Sequence, residues 1–264
     1  MREDESPPPL PPPLTAPVPP PLPSVARPWG VWATLGLSLL VFGGTVGAQS
    51  LALAVYLPVM KLTGRSVELS EIASSGFFLA LATCLSTPVT VGLTVLFAWL
   101  RRGVPLREYL RLKFPTRAEA ARWGLVLLLF MVISDSITLA VGRPLVPQVM
   151  VEFYKSSLFP PLIWLAMVVG APLGEEILFR GFMFEGLLHS RIGARGAVLL
   201  TSLVWASIHL QYDFAGVAEI FACGLLLGWV RLRTGSLYLT MLLHATMNLI
   251  AALQTVWLIR TGQG

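Results

Sequence analysis

The sequence predicts an all-α, polytopic transmembrane helical bundle of about seven spans, preceded by a disordered proline-rich tail. Three observations carry this. Hydrophobic residues make up 55% of the 264 and charged residues only 12%, far from the roughly quarter-charged make-up of soluble domains. The mean hydropathy is +0.73. Apolar stretches of the ~20 residues that a bilayer-crossing helix needs also recur from Trp29 onward.

Taken in order, residues 1–28 form a cytoplasmic tail of their own. MREDESPPPLPPPLTAPVPPPLPSVARP is dominated by proline, which removes backbone donors and favours extended polyproline conformations over a packed core. No apolar stretch follows a short basic start, so the tail does not read as a secretory signal. A solvated tether is the simpler reading beside a PxxP-type docking segment.

The transmembrane bundle occupies 29–264, with spans expected near 31–58, 75–100, 123–142, 158–180 (continuing toward 189), 196–211, 214–230 and 237–259. Gly43, Gly44 and Gly47 give the first span a face of small residues suited to helix packing. The loop from Val104 to Trp123 interleaves Leu106, Tyr109, Leu110 and Phe114 with arginines, as an interfacial amphipathic segment or an ordinary basic loop would.

With alternating spans, fourteen of the nineteen Lys and Arg residues fall on the side of the tail. The positive-inside rule then puts the N-terminus in the cytoplasm and the C-terminus outside. The net charge of +5 is concentrated in the loop between the second and third spans, where anionic lipid headgroups are the natural partner. No nucleic-acid partner is expected. Cys84 and Cys223 lie in apolar runs without partner spacing and read as packing residues.

Polar residues interrupt the later spans in a pattern: Glu175-Glu176-x-x-x-Arg180, Trp205-x-x-x-His209 and His244-x-x-x-Asn248. Ionisable groups at such positions are functional by default because they are costly in lipid. On a helix Arg180 reaches back to Glu176, so one carboxylate is neutralised and the other stays available. Neighbouring residues point about 100° apart, which lets the two acids differ in role. We assign Glu175 to the reaction, since a free carboxylate in a low-dielectric cavity is driven toward the range of a general base, and Glu176 to the scaffold, although the spacing alone permits the reverse.

His244 and Asn248 share one face of the last helix; His209 comes from another. Two histidines with carboxylate or amide oxygens are the donors of a catalytic zinc site, so Glu175, His209, His244 and Asn248 form a candidate set for Zn2+ or another divalent metal. Without metal, the same set can hold a water between Glu175 and a histidine, with Asn248 donating to the oxyanion. The spacing leaves both open. By depth along the helices, His244 is expected ~10 Å and His209 ~20 Å from the cytoplasmic ends. Glu175 matches this only with a long fourth helix or a break near Ala171-Pro172-Leu173-Gly174, and the site then needs a water-filled cavity open to the cytoplasm. Asp135 reads as a structural hydrogen bond to a neighbouring helix before a cavity residue that assists the base, Glu219 as a solvated cap, and His189 as an interfacial histidine.

EEILFRG at 175–181, an aromatic-xxx-His and His-xxx-Asn on successive apolar helices resemble the CPBP family, the CAAX proteases and bacteriocin-processing (Abi) intramembrane proteases, over about 160–255. The resemblance implies an intramembrane endopeptidase of metallo or glutamate type acting on a membrane-associated peptide or protein. The position of Glu175 would activate water, His209, His244 and Asn248 would assist, and Glu176 and Arg180 would support the site. Trp205 departs from the family's usual Phe, which implies a changed cavity wall. The tails are similar to those of bacterial-type members, which implies a multi-pass protein of the bacterial cell membrane. The competing reading is a non-proteolytic relative, such as an immunity factor, adaptor or transporter, that uses the polar cluster for binding; inverted repeats are lacking and every motif residue is present.

Overall fold

The structure, a computed structural model, describes residues 26–65, 68–72 and 74–262. The predicted tail lies outside the described residues up to position 25, and among the described residues there is no strand. Among the described residues, eight helices of eight residues or more make the architecture: α1 (Val31–Leu62), α2 (Gly76–Trp99), α3 (Arg117–Ala140), α4 (Gln148–Lys155), α5 (Pro160–Leu188), α6 (Gly193–Ser207), α7 (Phe214–Thr234) and α8 (Leu237–Arg260), with single helical turns at Leu69–Ile72 and Leu106–Tyr109 between them.

Six of these, all but α4 and α6, are long and apolar enough to cross a membrane. The fifth expected span is the exception. At 15 residues, α6 is ~22 Å long, short of the ~30 Å hydrocarbon thickness. It nevertheless packs along α7 as a hairpin and carries the chain from one end of the bundle to the other, so about seven passes remain.

The helix ends are fixed by local chemistry. Ser75, Asp213 and Ser236 accept amide hydrogens of the first turns of α2, α7 and α8, and Thr116 with Glu119 closes a reciprocal capping box on α3. Gly235 ends α7 at φ 63, a left-handed conformation that glycine adopts without penalty.

One end of the bundle carries the basic loop. There Trp29 Nε1 donates to the Phe97 carbonyl at 2.8 Å, Ser236 Oγ to the Lys113 carbonyl at 2.6 Å and the Leu237 amide to the Arg111 carbonyl at 3.1 Å. The opposite end is tied by the Gly76 amide to Ser156 Oγ at 2.8 Å and by Arg143 to Asp213 at 2.6 Å.

Burial singles out α5 as the central helix. In its apolar window 44% of residues are buried, against 6% for α3, so α3 is peripheral and faces lipid. Small polar side chains such as Ser38, Ser86, Thr90 and Thr94 point inward while Leu39, Leu51, Leu125 and Leu129 are exposed, the distribution expected where the solvent is hydrocarbon. The glycine face predicted for α1 is narrower than expected. A Cβ on Gly44 would lie 2.5 Å from Leu93 of α2, but one on Gly43 or Gly47 would meet nothing within 4 Å.

Candidate active site

The site is built on α5, which runs unbroken through Pro172. Two π-helical stretches, Leu165–Gly170 and Ile177–Met183, flank the α-helical turn Ala171–Glu176. In the first, the Ala171 amide bonds the carbonyl of Ala166 instead of Met167, and Pro172, the next residue in line, has no N–H. The Met167 carbonyl is thereby orphaned. Asn248 of α8 fills the vacancy, its Nδ2 donating to Met167 O at 2.8 Å. The sequence offered a long helix or a break, and the π turn is how the long helix tolerates its proline.

The two acidic residues diverge. Glu176 is fully enclosed, and its Oε1 accepts from Arg180 Nη1 at 2.9 Å and pairs with His244 Nδ1 at 3.0 Å. Arg180 is equally buried, bonds the Gly224 carbonyl at 3.2 Å and lies over the Trp205 ring, 4.5 Å from its centroid. Glu175 is 24% exposed on the cavity side, where its Oε2 accepts from Trp205 Nε1 and lies 4.0 Å from His244 Nε2. His209 follows the last turn of α6, and its Nδ1 faces the Trp205 carbonyl at 2.8 Å. Since a carbonyl only accepts, that nitrogen carries the proton and Nε2 is left for the cavity.

Glu175, Trp205, His209 and His244 line a cavity of about 470 Å³ together with Asp135, Tyr212, Glu219 and Gln254. All four expected reactive residues, Glu175, His209, His244 and Asn248, reach its wall, while Glu176 and Arg180 lie behind it. The expected opening on the basic side is corrected. The cavity runs toward Leu145–Pro147 and Gln211–Tyr212, at the end opposite the basic loop. The other side is closed by the fully buried Phe179, Phe182, Phe184 and Leu187.

Several participants were not legible as such. Glu185, 1% exposed, binds Arg231 at 2.7 Å and Arg111 at 2.9 Å, and Arg231 Nε donates to the Arg180 carbonyl at 2.9 Å; an acid ten residues after Glu175 in the same helix was the available signal. Asp135 accepts from Gln254 at 2.8 Å and also lines the cavity, as its two readings allow; Gln254 and Glu219, which accepts from Ser134, line it as well. His189 Nδ1 caps the Glu185 carbonyl at 3.0 Å. Tyr212, in the loop between α6 and α7, places its hydroxyl 3.1 Å from Met150 Sδ, and burial, reinforced by the nearby Glu175 and Glu219 carboxylates, pushes the phenol up to about 12. It remains a donor at neutral pH.

As a metal site the donors fit poorly. Among the described residues no three His, Cys, Asp or Glu side chains gather closely enough to hold an ion. One Glu175 oxygen is committed to Trp205.

Residues 157–250 match the family model described as type II CAAX prenyl endopeptidase Rce1-like, in accord with the CPBP resemblance of the three motifs. The match holds every candidate site residue and supports, at the level of the family, a membrane protease. An uncharacterized 24.3 kDa protein of Escherichia coli is 36% identical over 104 residues, which is 36% of this chain and 46% of that protein. The chain thus spans about half the length of the curated relative it matches. No solved structure matches it.

Proposed function

We propose that the chain is an intramembrane endopeptidase that hydrolyses a peptide bond of a membrane-associated protein or peptide with a water activated by Glu175. The observation that carries this is the division of labour between adjacent acids. Glu176 is sealed against Arg180 and His244, whereas Glu175 meets the cavity beside His244 Nε2.

In the proposed step Glu175 takes a proton from water as the water oxygen adds to the carbonyl carbon. The tetrahedral oxyanion is met by hydrogen-bond donors, for which we assign the second amide hydrogen of Asn248 and the Tyr212 hydroxyl, once it turns from Met150 Sδ; both residues line the cavity. The carboxyl then returns its proton to the amide nitrogen as the C–N bond breaks, giving an acid and an amine. Because His244 Nδ1 points to Glu176 and His209 Nδ1 to a carbonyl, each imidazole is oriented with Nε2 available to water or substrate.

Given the scattered donors, the step uses protein groups alone. Cleavage by the purified protein is expected to survive a zinc chelator; loss on chelation and recovery with Zn2+ would replace this step with a metal-bound one. We also infer that the basic end is cytoplasmic, which directs the cavity to the other side of the bilayer. A cysteine at Gln211 in a Cys84→Ala/Cys223→Ala background should then react with an impermeant maleimide added outside intact cells, and labelling from the cytoplasmic side alone would reverse the orientation.

The deciding experiment compares wild type and Glu175→Ala, purified in lipid nanodiscs, on a farnesylated fluorogenic peptide ending in a CAAX sequence. The same pair is compared by mass spectrometry of membrane peptides in producing cells. Cleavage products present with the wild type and missing with the variant are expected in at least one arm. Identical products in both arms reject the peptidase reading.

A further inference from the structure

We propose that Trp205 is a positioning residue for the reaction: its indole N–H holds Oε2 of Glu175 and so presents Oε1 as the oxygen that takes the proton from water. This rests on the reading of Glu175 as the base.

A glutamate on a cavity wall has three side-chain torsions and, unanchored, samples several rotamers. Only some of these keep a carboxylate oxygen within the ~2.6–3.2 Å of water that proton transfer needs. The indole removes that freedom because it is itself immobilised. Trp205 is 2% exposed. The Arg180 guanidinium covers its face, and the rings of His209 and His244 meet it edge-on with centroids 5.2 Å away and interplanar angles of 76° and 80°. On α7, a Cβ at Gly224 would lie 3.1 Å from Trp205 Cε3, so even the backbone of that helix is close.

One side chain therefore touches the base, both imidazoles and the arginine that neutralises Glu176. Its polar handle is the only part of the ring that a hydrocarbon of equal size could not replace. A neutral indole donor also solvates a carboxylate without contributing a cation that would compete for its negative charge.

The test separates the hydrogen bond from the filled space. With [15N]tryptophan-labelled protein in nanodiscs, the Trp205 indole proton, assigned by its loss in Trp205→Phe, should resonate downfield of the other seven tryptophans and move upfield in Glu175→Gln. Replacing Trp205 by 3-benzothienylalanine, which keeps the ring shape and exchanges N–H for sulfur, should lower kcat about tenfold, the loss expected for one hydrogen bond to a charged group. KM should be unchanged, because the indole nitrogen is committed to Glu175. A merely structural tryptophan would tolerate the isostere. An indole resonance indifferent to Glu175→Gln, or wild-type turnover by the isostere, overturns the proposal. If wild type and Glu175→Ala cleave alike, the peptidase reading fails instead, and the indole resonance still decides the hydrogen bond.

Discussion

Replacing each of the two adjacent glutamates by alanine should give opposite phenotypes. Glu176 and Arg180 are both 0% exposed and pair at 2.9 Å. In Glu176→Ala the guanidinium keeps the Gly224 carbonyl at 3.2 Å and loses its counter-ion, and His244 Nδ1 loses its acceptor. Breaking a buried pair by removing one partner costs about 3–5 kcal/mol, a large fraction of the ~5–15 kcal/mol that holds a domain together. In Glu175→Ala the loss is one indole hydrogen bond at a site in contact with the cavity, about 1–2 kcal/mol, partly offset by relieving a confined charge. Titration with SDS in mixed micelles, followed by far-UV circular dichroism, should place Glu176→Ala well below wild type and Glu175→Ala close to it, while cleavage disappears in Glu175→Ala. Adding Arg180→Met to Glu176→Ala should restore part of the lost stability, because the stranded cation is gone. Equal destabilisation by the two single variants, or a double variant no better than Glu176→Ala, would refute the assignment of Glu176 to the scaffold.

Asn248→Leu leaves the Met167 carbonyl without a partner and should cost about 1–3 kcal/mol in the same titration; wild-type stability would show that the π turn finds another donor. Gly76→Ala should fold poorly, since its Cβ would lie 1.7 Å from the Phe153 carbonyl oxygen, a backbone atom that cannot swing aside, whereas Gly43→Ala, with nothing within 4 Å, should express as wild type. Asp213 is held below the usual carboxylate range, first by the Gly216 amide and then by Arg143. A depressed acid stabilises the fold above its unfolded value and stops doing so as pH falls through its native one, so protection of the Gly216 amide from exchange should drop only in strongly acid solution. High salt should weaken the Arg143 contact alone. In Asp213→Asn the acid-dependent drop should vanish, and its persistence would locate the titration elsewhere.

Much of the bundle was legible because lipid imposes a simple rule: long apolar runs cross, and polar residues within them need a reason. The spans from Val31, Gly76 and Leu237 and the inward turn of Glu175, Glu176, Arg180, His209 and His244 follow from that rule. What escaped depends on backbone detail or on distant pairing. Counting 100° and 1.5 Å per residue assumes an α-helix, and the π turns around Ala171–Glu176 shift both the rotation and the depth of everything beyond them. The spacing suggests Asn248 as a metal ligand or a donor to the oxyanion, yet one of its hydrogens serves Met167, a need created by Pro172 on another helix. Arg231 and Arg111 were counted as loop charges that orient the chain, and they turn out to clamp Glu185. The short α6 explains why His209 lies beyond a helix end rather than inside a span.

The charges of α5 account for the position of the cavity. The helix carries Glu175, Glu176, Arg180 and Glu185 within eleven residues, an arrangement that hydrocarbon does not tolerate unless each charge is answered. Arg180 answers Glu176, and Arg231 with Arg111 answers Glu185. Glu175 is left, and among the described residues it forms no pair with a lysine or arginine. A carboxylate in that position is solvated only by water or neutral donors. The cavity gives room for the first and Trp205 is one of the second. The structure thus neutralises every acid on α5 that it buries and leaves the remaining one on the cavity wall beside a neutral donor, the arrangement that the proposed base requires.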